Sequence, residues 1–173
     1  MNCCRRNFIW LLIVCAFPLL AGCGYQFAGT GGMPGGIDRV NVAVFENRSG
    51  ESGVESAFTN NLIYELTRRG GVSIVSADAA NGRITGTIRS ITTDTVSHEE
   101  TYVTAERRVR VVVDVRLVSA DGRTLWAGTG IEGREVYAVA GSGYMTDENK
   151  KAAIERLSED MAEAIYNRMA ADF

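Results

Sequence analysis

Cysteine is confined to positions 3, 4, 15 and 23, and none follows. That distribution excludes a disulfide framework, a cysteine metal site and a thiol nucleophile in the rest of the chain. Histidine occurs once, as His98, in the polar run His98-Glu99-Glu100. A lone histidine among acids reads as an exposed loop residue, so histidine-based acid/base chemistry has no second partner here. Lysine is nearly missing too, at Lys150 and Lys151 only, and the formal net charge is -3. No basic excess is available to hold a nucleic acid, which excludes that class of partner. Long apolar runs are equally scarce. The single one, Phe8 to Leu20, is 13 residues long, short of the roughly 20 needed to span a bilayer as a helix.

What is present begins with that run. Arg5 and Arg6 precede it, and Leu20-Ala21-Gly22-Cys23 closes it with the form of a bacterial lipobox. A charged n-region, an apolar h-region and small residues before the cut describe a lipoprotein signal peptide over residues 1–22. Cys23 then becomes the acylated first residue, and the lipid chains on it anchor the protein to a membrane, where a single chain holds only marginally. Gly24 follows, where inner-membrane retention uses aspartate, so the expected location is the periplasmic face of the outer membrane. Loss of Arg5 and Arg6 takes the formal charge to -5.

Residues 23–37 are glycine-rich, with Gly29, Gly31, Gly32, Gly35 and Gly36 around Pro34, and lack an apolar period. They read as a flexible lead into a single domain over residues 38–173. Arg39 to Phe45 alternates, with Val40, Val42 and Val44 on one side, and predicts a half-buried strand. Val54, Phe58, Leu62 and Leu66 recur at helical spacing before Arg68-Arg69-Gly70-Gly71, a basic last turn with a glycine stop. Val72 to Val75 is a short strand candidate. Arg83 to Val96 alternates, and Val109, Val111, Val113, Val115 and Leu117 give the clearest period of two in the chain. Asp121-Gly122 supplies a hairpin turn into a further strand from Leu125 to about Val139. Thr146 or Asp147 is the expected N-cap of a closing helix with the stripe Ile154, Leu157, Met161, Ile165 and Met169. The order β-α-β-β-β-α predicts an α+β two-layer sandwich: two helices on one face of a mainly antiparallel sheet of about four strands. One face of that sheet is left uncovered.

Catalytic constellations are not assembled by these residues. Glu99 with Glu100, or Glu132 with Glu135, are paired acids without any sign of the burial that shifts a pKa. Gly128, Gly130 and Gly133 spell G-x-G-x-x-G, but inside a strand-like stretch that opens no helix, so the dinucleotide context fails. The polar face is more informative. Arg83 and Arg89 alternate with Thr85 and Thr87, while Arg108, Arg110 and Arg116 share a parity in the next strand. Arginine grips phosphate or carboxylate with a planar fork that lysine lacks, so this face suits the phosphates of an amphiphile or the acidic wall of a protein. Asp114 and Glu106 neutralise part of it.

The order of motifs resembles the LptE family of lipopolysaccharide-assembly lipoproteins. The resemblance starts at Cys23-Gly24-Tyr25-Gln26-Phe27 and runs through Val42-Ala43-Val44-Phe45-Glu46-Asn47-Arg48-Ser49 and Gly86-Thr87-Ile88. It continues in Gly122-Arg123-Thr124-Leu125-Trp126 and the Asn149 to Met169 helix. It implies a non-enzymatic protein without a cofactor or metal, seated as a plug inside the outer-membrane β-barrel LptD, assisting the assembly of that barrel and binding lipopolysaccharide. By the same resemblance, ligand contacts fall on basic residues near the central hairpin, here Arg107 and Arg108, with Arg110 and Arg89 beside them on the arginine face. Gly143-Tyr144-Met145-Thr146 stands where a basic residue is expected before the last helix. The stretch from Val42 to Gly50 also occurs in similar dress in lipoproteins that activate a cell-wall synthase or serve a secretion assembly, which is the alternative reading.

Overall fold

The structure, a computed structural model, describes residues 33–96 and 105–171. Cys23, His98, Glu99, Glu100 and the signal segment lie outside the described residues. The chain builds β1 (Arg39–Val42), β2 (Glu46–Asn47), α1 (Val54–Arg69), β3 (Ser73–Ile74), β4 (Gly82–Val96), β5 (Glu106–Ser119), β6 (Thr124–Ala138) and α2 (Gly143–Ala171). It is the α+β sandwich expected, with an open sheet in the order β3-β1-β4-β5-β6, and with β2 also paired to β4. β4, β5 and β6 form the antiparallel meander; β1 and β2 run parallel to β4, and β3 parallel to β1. The two-residue strands β2 and β3 bring the count above four.

The core follows the two periods in the sequence. Val109, Val111, Val113, Val115 and Leu117 are all fully buried on one face of β5, each worth about 1.5–3 kcal/mol of burial. Ile84 and Ile88 continue that face in β4, and Trp126, Ile131 and Tyr137 in β6. Against them lie Phe58, Leu62 and Leu66 of α1 and Ile154, Leu157, Met161, Ile165 and Met169 of α2, the stripes expected from 3.6-residue spacing. The helices run parallel. Asn61 Nδ2 donates to Ser158 Oγ at 2.6 Å, and Arg69 reaches Glu163 further along.

Two expectations are corrected. Val44 was expected on the buried side of a continuous strand, yet it is 70 % exposed while Phe45 is 3 % exposed. The chain leaves the sheet after Val42, and the Phe45 N–H donates to Thr59 Oγ1 of α1 at 3.0 Å. That bond reverses the parity, turns Phe45 onto Phe58 and re-enters the sheet at β2. The second correction is the start of α2, which lies at Gly143 rather than after Thr146 or Asp147. Ser142 Oγ accepts the Met145 N–H at 3.3 Å, the capping role given to Thr146. Thr146 is buried instead, with its hydroxyl on Ala140 and Ser142.

Candidate functional site

The face of the sheet turned away from the helices is polar because strand alternation leaves no other place for these side chains. Arg83, Thr85, Thr87, Thr92 and Asp94 of β4 stand opposite Val118, Arg116, Asp114, Arg110 and Arg108 of β5. Across the other side of β5, Arg116 faces Ala127, Arg110 faces Arg134 and Arg108 faces Val136 of β6. A direct Arg110–Arg134 pair is repulsive. Glu132 resolves it by accepting a hydrogen bond from each guanidinium at 2.5 Å. The Arg110 hydrogen bond first, joined by the Arg134 hydrogen bond and the charge of both guanidiniums, outweighs desolvation and holds the Glu132 carboxyl at a pKa of about 2.

Two irregularities shape the middle of this face. The register of β4 on β5 shifts between Ile88 and Ser90, and Arg89 is the extra residue. A bulge re-aims its side chain, and Arg89 Nη1 reaches Asp114 Oδ2 at 3.3 Å. In β6 the register shifts opposite Val113 and Val115. There Gly130 adopts φ +63°, a left-handed conformation that favours glycine, and its N–H donates to Asp114 Oδ1 at 2.7 Å. Gly133 lies under α2, where an added Cβ would come within 2.7 Å of the Met161 sulfur. The G-x-G-x-x-G letters are therefore bulge and packing glycines.

A hollow of about 410 Å³ opens beside Asp114, lined by Glu46, Arg48, Thr85, Thr87, Arg89, Asp114 and Arg116. Glu46 and Arg48 pair through two hydrogen bonds at 2.9 and 3.0 Å. The Arg48 hydrogen bond holds the Glu46 carboxyl below its usual value, and the Arg48 guanidinium is raised in return. Arg89 is engaged by Asp114. Among the described residues, no acid pairs with Arg116. A larger cleft, about 510 Å³, lies between the helices and is acidic, lined by Asn61, Tyr64, Glu65, Glu159, Asp160 and Glu163. Burial raises the Glu65 carboxyl there, but hydrogen bonds and charge from Arg68 and Arg69 outweigh it and leave the group lowered.

Of the candidate residues, Arg89, Arg108 and Arg110 share the open face with Arg116. Arg107 pairs in register with Thr95 and Tyr137 and so belongs to the opposite, helix-bearing side, where it is exposed although Tyr137 beside it is buried. Glu132 and Glu135 also part: Glu132 is on the open face, while Glu135 accepts from Arg156 of α2 at 2.9 Å. Glu46, Arg48 and Arg134 were not singled out in the sequence. Arg134 shares parity with Glu132 and was legible on that ground; Glu46 and Arg48 depend on the turn at Phe45. Among the described residues, no group of three histidine, cysteine or carboxylate side chains is arranged to hold a metal ion, and no helix is long and apolar enough to cross a membrane.

The fold, an open sheet backed by two helices, is shared with solved bacterial lipoproteins. Lipoprotein B of Nitrosomonas europaea is 15 % identical, with a TM-score of 0.53 over 86 % of this chain and 92 % of its own. The rare lipoprotein B of Shewanella oneidensis is 15 % identical, with a TM-score of 0.52 over 78 % of this chain and 96 % of its own. No curated protein matches the sequence. The family model described as LptE, lipopolysaccharide-assembly, matches residues 37–169. The chain belongs to the LptE family.

Proposed function

We propose that this protein is a non-enzymatic, lipid-anchored component of the outer-membrane lipopolysaccharide translocon, acylated on Cys23 and held at the periplasmic face of that membrane. In this reading it seats inside an LptD-type β-barrel as a plug, assists assembly of the barrel and binds lipopolysaccharide through Arg107, Arg108, Arg110 and Arg89. The observation that carries the reading is the uncovered sheet face, whose Thr85, Thr87, Arg108, Arg110 and Arg116 are set for a wet surrounding. Barrel interiors are polar while their outer bands are apolar, so a plug presents groups of this kind to the lumen. Lipopolysaccharide phosphates suit guanidinium forks, and removal of the first 22 residues leaves Cys23 first in the chain, its sulfur bearing lipid and its new amino group open to a further acyl chain.

The test is to extract the tagged full-length protein from its native outer membrane in mild detergent and identify copurifying proteins by mass spectrometry with stoichiometry. A large β-barrel at a one-to-one ratio is the expected result. A cell-wall synthase or a secretion component in its place overturns the reading in favour of that partner.

A further inference from the structure

The hollow around Arg116 lies apart from the hairpin end that bears Arg107 and Arg108, and of the proposed lipopolysaccharide residues it includes only Arg89, whose guanidinium Asp114 engages. It lies toward the other end of the sheet, where Thr85 pairs with Arg116 and Thr87 with Asp114. Its charges are three guanidinium groups, Arg48, Arg89 and Arg116, against two carboxylates, Glu46 and Asp114. Glu46 occupies Arg48 and Asp114 occupies Arg89. Arg116 is exposed, and its neighbour across the strand pair in β6 is the small residue Ala127. One fork thus faces solvent with the Thr85 hydroxyl beside it and space above it, while Thr87 Oγ1 donates to Glu46 at 3.4 Å.

We infer that this hollow receives a single carboxylate side chain from a protein partner, seated on the Arg116 guanidinium with the Thr85 hydroxyl as its flanking donor. A planar carboxylate matches the guanidinium fork in a two-point contact. The net charge of the cluster is +1, which one carboxylate cancels. A phosphorylated amphiphile fits poorly: no apolar side chain lines the hollow to take an acyl chain, and a phosphate of higher charge would exceed the +1 of the cluster with two carboxylates, Glu46 and Asp114, in the same lining. The inference rests on the reading that a protein encloses the open sheet face, and it adds the place and chemistry of one contact.

A photo-crosslinking amino acid at Thr85 in the full-length, membrane-extracted protein tests it, with the same probe at Ala127 as a second position should the Thr85 variant fold poorly. The expected product is a protein adduct whose crosslinked peptide carries Asp or Glu. Its yield falls about tenfold or more with Arg116→Glu, as loss of a charged hydrogen bond implies, and is partly kept with Arg116→Lys. A lipid adduct, no adduct at either position, or a protein adduct unchanged by Arg116→Glu overturns the inference. A copurifying barrel without an adduct leaves the proposed function standing and removes this contact. An Arg116-dependent adduct to the acidic segment of some other protein keeps the contact and removes the barrel.

Discussion

The Gly130 N–H donates to Asp114 Oδ1 at 2.7 Å, so the bulge of β6 and the acid at the middle of the open face fix one another. Asp114 also holds Arg89, the residue displaced by the bulge of β4. Two register shifts on opposite sides of β5 therefore converge on one carboxylate.

Gly130→Val is expected to destabilise the protein by about 1–2 kcal/mol, because an L side chain at φ +63° meets its own backbone. No neighbour lies within 4 Å of an added Cβ there, so the loss comes from backbone conformation. Urea unfolding measures it, and an unchanged midpoint would show that the turn relaxes without cost.

Phe45→Ala is expected to cost about 3–5 kcal/mol and Val44→Ser less than about 0.5 kcal/mol, since only the former is buried. The same assay separates them. Equal losses would restore Val44 to the core side of the strand.

Thr59→Val keeps the shape of the side chain but leaves the buried Phe45 N–H without its acceptor. The expected loss is about 1–3 kcal/mol. Thr59→Ser, which keeps the hydroxyl, is expected to recover most of the hydrogen-bonding part of it.

The Glu132 carboxyl titrates near 2 when folded, against an ordinary value of 4.5, chiefly through the Arg110 hydrogen bond. A depressed folded pKa stabilises the native state above the unfolded value, and that contribution fades as pH falls from about 4.5 through about 2. The stability gap between the native protein and Glu132→Gln is therefore expected at pH 7 and expected to close across that window. Paired urea titrations at pH 7, 4.5, 3 and 2 follow it; a gap constant with pH would show that the charge of Glu132 is not what counts.

Arg107 and Arg108 replaced together by alanine are expected to weaken lipopolysaccharide binding several-fold while the circular dichroism of the fold stays unchanged. Because the two side chains leave opposite faces of β5, the single variants separate their contributions. Binding equal to the native protein in the double variant removes both from the ligand site. Cys23→Ala is expected to lose the acyl mass and the membrane fraction together.

The β5 face was legible because five apolar positions repeat every second residue without interruption, a pattern that only a strand buried on one side sustains. Both helices were legible from their stripes for the same kind of reason. The reversal at Val44 and Phe45 was not, because it is imposed by Thr59, a residue 14 positions away in a different element. The start of α2 was placed about one turn late because Ser142 and Thr146 are both good capping residues, and tertiary burial of Thr146 decides between them. On the open face, alternation brought Arg108, Arg110 and Arg116 together. Their ion pairs were hidden, since the bulges at Arg89 and Gly130 set which acid meets which base.

The parallel course of α1 and α2 has an electrostatic consequence. An antiparallel pair would largely cancel its macrodipoles, whereas here both N-termini point to the end of the sheet where β4 finishes and β5 begins. Each terminus is equivalent to roughly half a positive elementary charge. Glu51 and Glu148 temper that field but are themselves engaged by Lys150 and Lys151. Arg107 and Arg108 stand at this same end, with Asp94 and Glu106 beside them, so an anion arriving there meets both helix termini together with two guanidinium groups.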